Sequence, residues 1–172
     1  MKKLKLFLLT ASLTLFLCGI AMAQDSQAHN VTITVQEVAK IGLNGGPVTI
    51  EFTSASTTAG DLPTPTTDTS TDLRWTSNVA AAATRKITAA LDSDYSAGIV
   101  LQVTVAAPLT GTTNGATAGQ ITLSTSELEV FTGITNEHCK DAVLSYDASL
   151  TAMVEAAAGE LKSVTYTLTD DA

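Results

Sequence analysis

Short stretches in which apolar and polar residues alternate recur along this 172-residue chain. Two clear examples are Val31-Thr32-Ile33-Thr34-Val35 and Val164-Thr165-Tyr166-Thr167-Leu168. Successive side chains of a β-strand point to opposite faces, so a period of two is typical of strands with one buried face. The 29 threonines favour the same structure, because a β-branched side chain fits a pleated surface and disfavours long helices.

Turn-forming residues separate the alternating segments, as at Asn44-Gly45-Gly46-Pro47. The sequence therefore predicts an all-β protein, an immunoglobulin-like antiparallel β-sandwich of about eight to ten short strands. We expect one such domain over residues 31–172. Residues 48–52 are predicted to form a strand. Residues 53–72 are predicted to form a long exposed loop, in which Pro63 and Pro65 leave room for an edge strand but disfavour a central one. Residues 149–159 are predicted to form a short helix or turn, since apolar residues recur there at helical spacing.

The first 23 residues have the order of a secretory signal peptide. A basic start at residues 1–5 precedes an apolar run at residues 6–20, and Ala21-Met22-Ala23 forms a small-x-small site. We expect cleavage between Ala23 and Gln24, followed by a flexible lead at residues 24–30. The protein is predicted to be secreted, to the bacterial periplasm, the cell surface or the exterior.

Two other kinds of N-terminus fit this segment less well. A retained membrane anchor needs about 20 apolar residues, and this run is shorter and contains three hydroxyl residues. A lipoprotein needs a small residue before its acylated cysteine, but Leu17 precedes Cys18. We therefore expect no membrane span after signal removal.

Charge argues against nucleic acid as a partner. Loss of residues 1–23 removes three lysines and no acidic residue, so the formal net charge moves from −8 to −11. Such a surface repels phosphate backbones. Only 15% of the residues are charged, so the surface is predicted to be polar mainly through threonine.

We predict no catalytic residues, cofactor or metal site. The two histidines are His29, in the lead, and His138, beside Cys139. Neighbours on a strand point to opposite faces, so His138 and Cys139 are not expected to form a dyad. Glu137-His138-Cys139 lacks the spacing of a metal motif. Cys139 has no intrachain partner once Cys18 is removed, and is expected to be a free or intermolecular thiol.

Carboxylates and the single tryptophan allow a second interpretation, a binding module for carbohydrate or Ca²⁺. The acidic pairs in question are Asp92 with Asp94, which we interpret as turn residues before calcium ligands, and Asp68 with Asp72, which lie in the threonine-rich segment. Trp75 is interpreted as a core anchor before a sugar-stacking surface.

Three stretches resemble bacterial fimbrial major subunits of the disulfide-free chaperone–usher type, and spore-coat-U-like secreted proteins. They are NVTITVQEVAKIGL near the N-terminus, LRWTSN…TRKITAALDSDYSAGIVLQVTV in the middle, and SVTYTLTD near the end. The likeness consists of pattern and layout over most of the mature chain. One departure is the end, Asp170-Asp171-Ala172, where many such subunits have an aromatic residue near the terminus.

The resemblance implies assembly by donor-strand exchange, in which the N-terminal strand of one subunit completes the sandwich of its neighbour. It implies that Val31, Ile33 and Val35 insert, and that the strand with Val164, Tyr166 and Leu168 lines the accepting groove. The expected function is a structural or adhesive surface protein, a subunit of a fimbria-like filament or matrix that binds itself or other surface proteins. The residues alone leave a second possibility open, that Val31, Ile33 and Val35 fill the core of their own chain.

Overall fold

The computed structural model describes residues 27–156 and 159–171. The predicted signal peptide and its cleavage site lie outside these residues. The chain divides into two units, residues 1–35 and residues 36–172. In the second unit the described residues form ten strands and a 3-10 helix at Ser54–Ser56: β1 (Val38–Asn44), β2 (Asp68–Asn78), β3 (Arg85–Leu91), β4 (Ile99–Val105), β5 (Thr110–Thr112), β6 (Ala116–Thr117), β7 (Gln120–Thr122), β8 (Leu128–Ile134), β9 (Glu137–Leu150) and β10 (Val164–Asp170).

The strands form two antiparallel sheets. The larger has the order β1-β2-β9-β4-β7, with β5 also paired to β9, and the smaller has the order β10-β3-β8-β6. The predicted all-β antiparallel sandwich is confirmed. The long strand β9 organises the larger sheet, because it pairs with β2 on one side and with both β4 and β5 on the other.

Alternate side chains of the strands point inward and form the core between the two sheets. In β2, Leu73 and Trp75 are buried, and in β4 so is Val103. The ring of Phe131 on β8 lies against Trp75, with centroids 4.8 Å apart and an interplanar angle of 53°. Residues of both sheets complete the core: Ile87, Ala89, Leu91, Leu101, Val105, Leu123, Val130, Ile134, Cys139, Ala142, Leu144 and Tyr146.

A glycine is required where β5 joins β9. Gly111 has φ of +103°, and a Cβ atom there would lie 2.0 Å from the carbonyl oxygen of His138. Backbone can approach this closely, in this conformation, only when the residue has no side chain. Gly111 thereby allows the three residues of β5 to pair with β9.

Of the short helix or turn predicted at residues 149–159, the helix is absent from the described residues 149–156 and 159. β9 continues to Leu150, and the described residues after it contain bends but no helix. The cause is pairing with β4, which runs from Val105 opposite Leu144 to Ile99 opposite Leu150. A sheet partner overrides an apolar spacing too short to hold a helix alone.

Two other boundaries differ from the prediction. Residues 53–72 are not one loop, because β2 begins at Asp68. The predicted strand at residues 48–52 belongs to neither sheet and contributes one isolated bridge, between Phe52 and Pro65. Val48 and Ile50 pack against the core from outside the sheets, so their alternation reflects burial without ladder pairing.

Candidate functional site: an open edge of the sandwich

The strand β10 is an edge strand with one side unpaired among the described residues. It pairs with β3 from Val164 opposite Leu91 to Asp170 opposite Arg85, and it has no second neighbour in its sheet. Natural proteins usually protect such edges with short strands, lysine or proline. β10 is seven residues long and contains neither residue, so its free N–H and C=O groups can accept another strand.

The predicted groove residues lie along this edge. Val164, Tyr166 and Leu168 pack against the core yet are only half-buried. Ile41 on β1 is half-buried in the same way. β1 and β10 approach within 8 Å between Cα atoms but pair in different sheets. We call the line between them, marked by these four residues, the β1–β10 seam; apolar surface there remains in contact with solvent.

The three predicted inserting residues lie in the first unit. Val31, Ile33 and Val35 have exposed fractions of 72%, 84% and 79%. They belong to no strand, although their alternation predicts one. Among residues 27–156 and 159–171, the buried core consists only of residues from the second unit. Three consecutive same-phase aliphatic side chains therefore remain in water in the single chain, which is costly unless another surface covers them.

Two tyrosines join the sheets beside the seam. The hydroxyl of Tyr166 on β10 lies 2.8 Å from that of Tyr146 on β9, in the other sheet. Burial raises the pKa of both phenols, and for Tyr166 the neighbouring Tyr146 raises the pKa further. Burial also raises the pKa of Tyr95, the third tyrosine of the chain. The hydroxyl pair thus holds the open edge of the small sheet to the centre of the large one.

We expect the sandwich to unfold at alkaline pH, as these phenols ionise. Because the folded pKa values are raised, the protonated phenols stabilise the fold fully below the unfolded pKa, near 10, and this stabilisation is lost as pH rises above it. Ultraviolet phenolate absorbance and circular dichroism should change together. The denatured chain serves as the control, because it gives the ordinary pKa of the three phenols. Ionisation of all three phenols at that same pKa while the protein stays folded would contradict this expectation.

A buried arginine closes one end of the seam. From β3, Arg85 donates to the Val38 carbonyl oxygen (2.9 Å), the Ser77 hydroxyl (3.1 Å) and the Asn78 carbonyl oxygen (3.2 Å). It also forms ion pairs with Glu37 and Asp170, the latter at 3.0 Å. Its planar fork of donors suits several acceptors at once, so Arg85 joins the start of β1, the end of β2 and the end of β10.

Trp75 is a core anchor, as the preferred interpretation predicts. Its side chain is buried, and its Nε1 donates to Glu137 Oε1 at 2.8 Å. The same carboxylate accepts from the Thr113 hydroxyl (3.2 Å) and the Asn114 backbone N–H (2.8 Å). Glu137 is itself buried. The indole therefore offers no face to a sugar, and Glu137 holds the loop between β5 and β6.

His138 and Cys139 point to opposite faces of β9, as predicted: His138 is exposed and Cys139 is buried. The Cys139 thiol donates to the Thr112 carbonyl oxygen at 3.0 Å. Burial raises its pKa, and the Glu137 carboxylate raises it further. A buried neutral thiol is a poor nucleophile.

Of the four carboxylates considered as calcium ligands, Asp92 and Asp94 lie in the loop between β3 and β4, whereas Asp68 and Asp72 lie in β2. Asp68 Oδ1 accepts from the backbone N–H and the hydroxyl of Ser70. Asp92 Oδ1 accepts from the backbone N–H of Ser163 at 3.1 Å, and Asp94 is exposed. No group of three His, Cys, Asp or Glu side chains that could hold a metal ion occurs within residues 27–156 and 159–171.

No family model, curated protein or solved structure matches the chain at a significant level. Within the part of the chain that the structure describes, no helix is long and apolar enough to cross a membrane.

Sequence reasoning did not predict the burial of Arg85 and Glu137, the two charged side chains that are buried among the described residues. A signal for both is present, because each lies in phase with the buried residues of its strand. Arg85 precedes Ile87 by two positions, and Glu137 precedes Cys139 by two. A charged residue in the apolar phase at a strand end indicates a buried polar network.

Proposed function

We propose that this protein is a secreted structural subunit of a bacterial surface filament or matrix, which assembles when the N-terminal segment of one copy adds to the β10 edge of another. The observation that carries the proposal is a match of two unpartnered features. One is a seven-residue unprotected edge with half-buried apolar side chains. The other is the row Val31, Ile33 and Val35, which is 72–84% exposed.

The energetics favour association. Burying three aliphatic side chains contributes about 5–9 kcal/mol, at roughly 1.5–3 kcal/mol each. Strand addition would also pair the free backbone groups of β10, which is a known mode of peptide recognition. The strands β6 and β7 also lie at sheet edges but have only two and three residues. They offer a much shorter ladder than β10.

The competing edge is β1, which is as long as β10. It is less suited to accept a strand, since Lys40 and Gly42 lie within it. Lysine on an edge strand discourages pairing, and glycine offers no side chain to pack. We therefore propose that β10 accepts the strand and that Val31, Ile33 and Val35 insert into the β1–β10 seam.

Ile33→Asp is expected to abolish self-assembly, because it would place a carboxylate against apolar surface. Thr34→Asp, on the opposite face of the same segment, is the matched control and should retain assembly. The full chain is expressed in a bacterial host, purified from the exported fraction, and examined by size-exclusion chromatography over a range of concentrations and by electron microscopy. A variant lacking residues 24–36 should behave like Ile33→Asp.

A wild-type protein that stays monomeric at every concentration would contradict the proposal. So would equal assembly of the Ile33→Asp and Thr34→Asp variants, since the two changes add the same charge to opposite faces. Circular dichroism of both variants establishes that the sandwich remains folded, which is expected because residues 31–35 contribute nothing to the buried core.

A further inference from the structure

We infer that the outer face of the larger sheet binds an acidic polysaccharide through a basic patch made of Lys40, Arg74 and Lys140. The ligand is a chain of sugars that carry carboxylate or sulfate groups. This face points away from the core and is separate from the β10 edge, so binding there does not depend on assembly. Two observations point to it: where these cations lie, and that they have no acidic partners.

Half of the lysines and arginines after the predicted signal peptide are already paired with acids. Six such residues follow residue 23: Lys40, Arg74, Arg85, Lys86, Lys140 and Lys162. Those on β3 and in the loop before β10 form ion pairs, whereas the three of the basic patch form none with any described residue. The chain has 17 acidic residues, so the fold keeps its acids away from this patch.

The register of β1, β2 and β9 brings the patch together. Lys40 lies opposite Thr76, which in turn lies opposite His138. Arg74 is two positions from Thr76, and Trp75 between them points inward to the core. Lys40, Thr76 and His138 are exposed. Residues opposite each other on adjacent antiparallel strands are about 5 Å apart between Cα atoms, so one extended ligand can contact all three strands.

A register shift in β9 adds Lys140 to the patch. β9 has two residues, Lys140 and Asp141, where β2 has Arg74 alone. Lys140 is exposed. Asp141 has φ of +59°, which is uncommon outside glycine, and its Oδ2 accepts from the Thr110 hydroxyl at 2.9 Å. The one carboxylate at this shift is therefore bound on the β5 side, and the two cations are left for an anion from outside.

Arg74 has a donor that nothing in the chain satisfies. Its Nε is buried without a hydrogen-bond partner, the one side-chain nitrogen or oxygen of this kind within residues 27–156 and 159–171. The stem of Arg74 lies over Gly42, where a Cβ atom would be 3.5 Å from Arg74 Cγ. A buried donor without an acceptor is costly. An anion that draws the guanidinium off Gly42 would satisfy Nε and a terminal nitrogen together, because the planar fork of donors matches a carboxylate or sulfate.

The surroundings of the patch favour a sugar chain over nucleic acid. Thr76 and Thr112 lie on either side of His138 with exposed hydroxyls, which can both donate to and accept from sugar hydroxyls. Duplex DNA carries one charge per about 1.7 Å of its axis, and so dense a row of phosphates would be repelled by the acidic remainder of the protein. An acidic polysaccharide separates its charges by whole sugar rings and can lie across an exposed sheet face.

Isothermal titration calorimetry with four probes tests the ligand class. The charged probes are a galacturonate oligomer and dextran sulfate, and the matched neutral probes are the methyl ester of that oligomer and plain dextran. Protein from the exported fraction is used with its native sequence and with Ile33→Asp, which separates binding by one copy from the multivalency of an assembly. We expect both charged probes to bind and both neutral probes not to bind; the tighter of the two identifies carboxylate or sulfate as the preferred group.

Variants of equal charge test the position of the site. Lys40→Gln with Lys140→Gln should weaken binding of the charged probes by at least about threefold, since each exposed ion pair contributes modestly. Lys86→Gln with Lys162→Gln removes the same charge elsewhere and should leave binding unchanged. Arg74→Lys keeps the charge but loses the fork of donors, and should also weaken binding. Circular dichroism establishes that each variant is folded.

Several results would overturn the inference. Equal weakening by the two double variants would show an effect of net charge alone. Binding of the methyl ester as tight as that of the acid, or tighter binding of duplex DNA than of galacturonate, would exclude the ligand class. Loss of self-association in the Lys40→Gln, Lys140→Gln protein without any polysaccharide would show that the patch binds a second copy of the chain instead.

Discussion

Glu137→Ala is expected to lower the free energy of unfolding by about 2–5 kcal/mol, because it removes one acceptor shared by three donors. The Trp75 indole N–H, buried in the core, would lose its partner at 2.8 Å. The Asn114 backbone N–H and the Thr113 hydroxyl would lose theirs. An unsatisfied buried donor costs roughly 1–3 kcal/mol, which makes the indole the main contributor.

The measurement is urea denaturation of chains that also carry Ile33→Asp, so that assembly does not contribute to stability. Glu129→Ala is the matched control: that carboxylate pairs with Lys86 at 2.8 Å and is half exposed, so its loss should cost less than about 1 kcal/mol. Glu137→Gln keeps an acceptor for the indole but presents an amide hydrogen to the Asn114 N–H, and should fall between the two. Equal midpoints for Glu137→Ala and Glu129→Ala would contradict the buried network.

Phe131→Ala is expected to cost about 3–5 kcal/mol, the range for loss of a buried aromatic ring. Phe131 is among the largest fully buried side chains and lies between Trp75 and the backbone near Gly115. The change would leave a cavity at the centre of the sandwich. It would also remove the tilted ring pair, which adds about 0.5–1.5 kcal/mol beyond its buried area.

Urea denaturation followed by the fluorescence of Trp75, the single tryptophan, measures this loss at the site of the cavity. Phe131→Leu refills most of the volume and should cost less than Phe131→Ala. Leu109→Ala, at a side chain that is 79% exposed, should change the free energy of unfolding by no more than about 0.5 kcal/mol. A Phe131→Ala variant as stable as Leu109→Ala would show that the ring does not support the core.

The sequence was sufficient to predict the sandwich and its last strand, at residues 164–168. In residues 99–105 the side chains of Leu101, Val103 and Val105, at every second position, are buried, and in residues 164–170 those of Val164, Tyr166 and Leu168 pack against the core. The same rule identified Val31, Ile33 and Val35 as a row that favours burial. It could not say which surface covers them, since a period of two carries no information about the partner strand.

The apolar–polar periodicity of the sequence does not predict which distant residues contact each other. Glu137 and Trp75 are 62 positions apart and meet only because β2 and β9 pair in a particular register. The false helix at residues 149–159 has the same origin, because the pairing of β9 with β4 decides the structure at Leu150. Local sequence fixes periodicity, whereas register depends on the whole chain.

The pairing of β3 with β10 also bears on how the protein folds. Arg85 and Asp170, which end this ladder, are 85 positions apart. Loops of that length must close before the contact stabilises anything, so folding is slow compared with that of helical proteins. The small sheet also cannot gain its fourth strand until residue 170 has left the ribosome. The small sheet therefore stays incomplete until β10 has been synthesised.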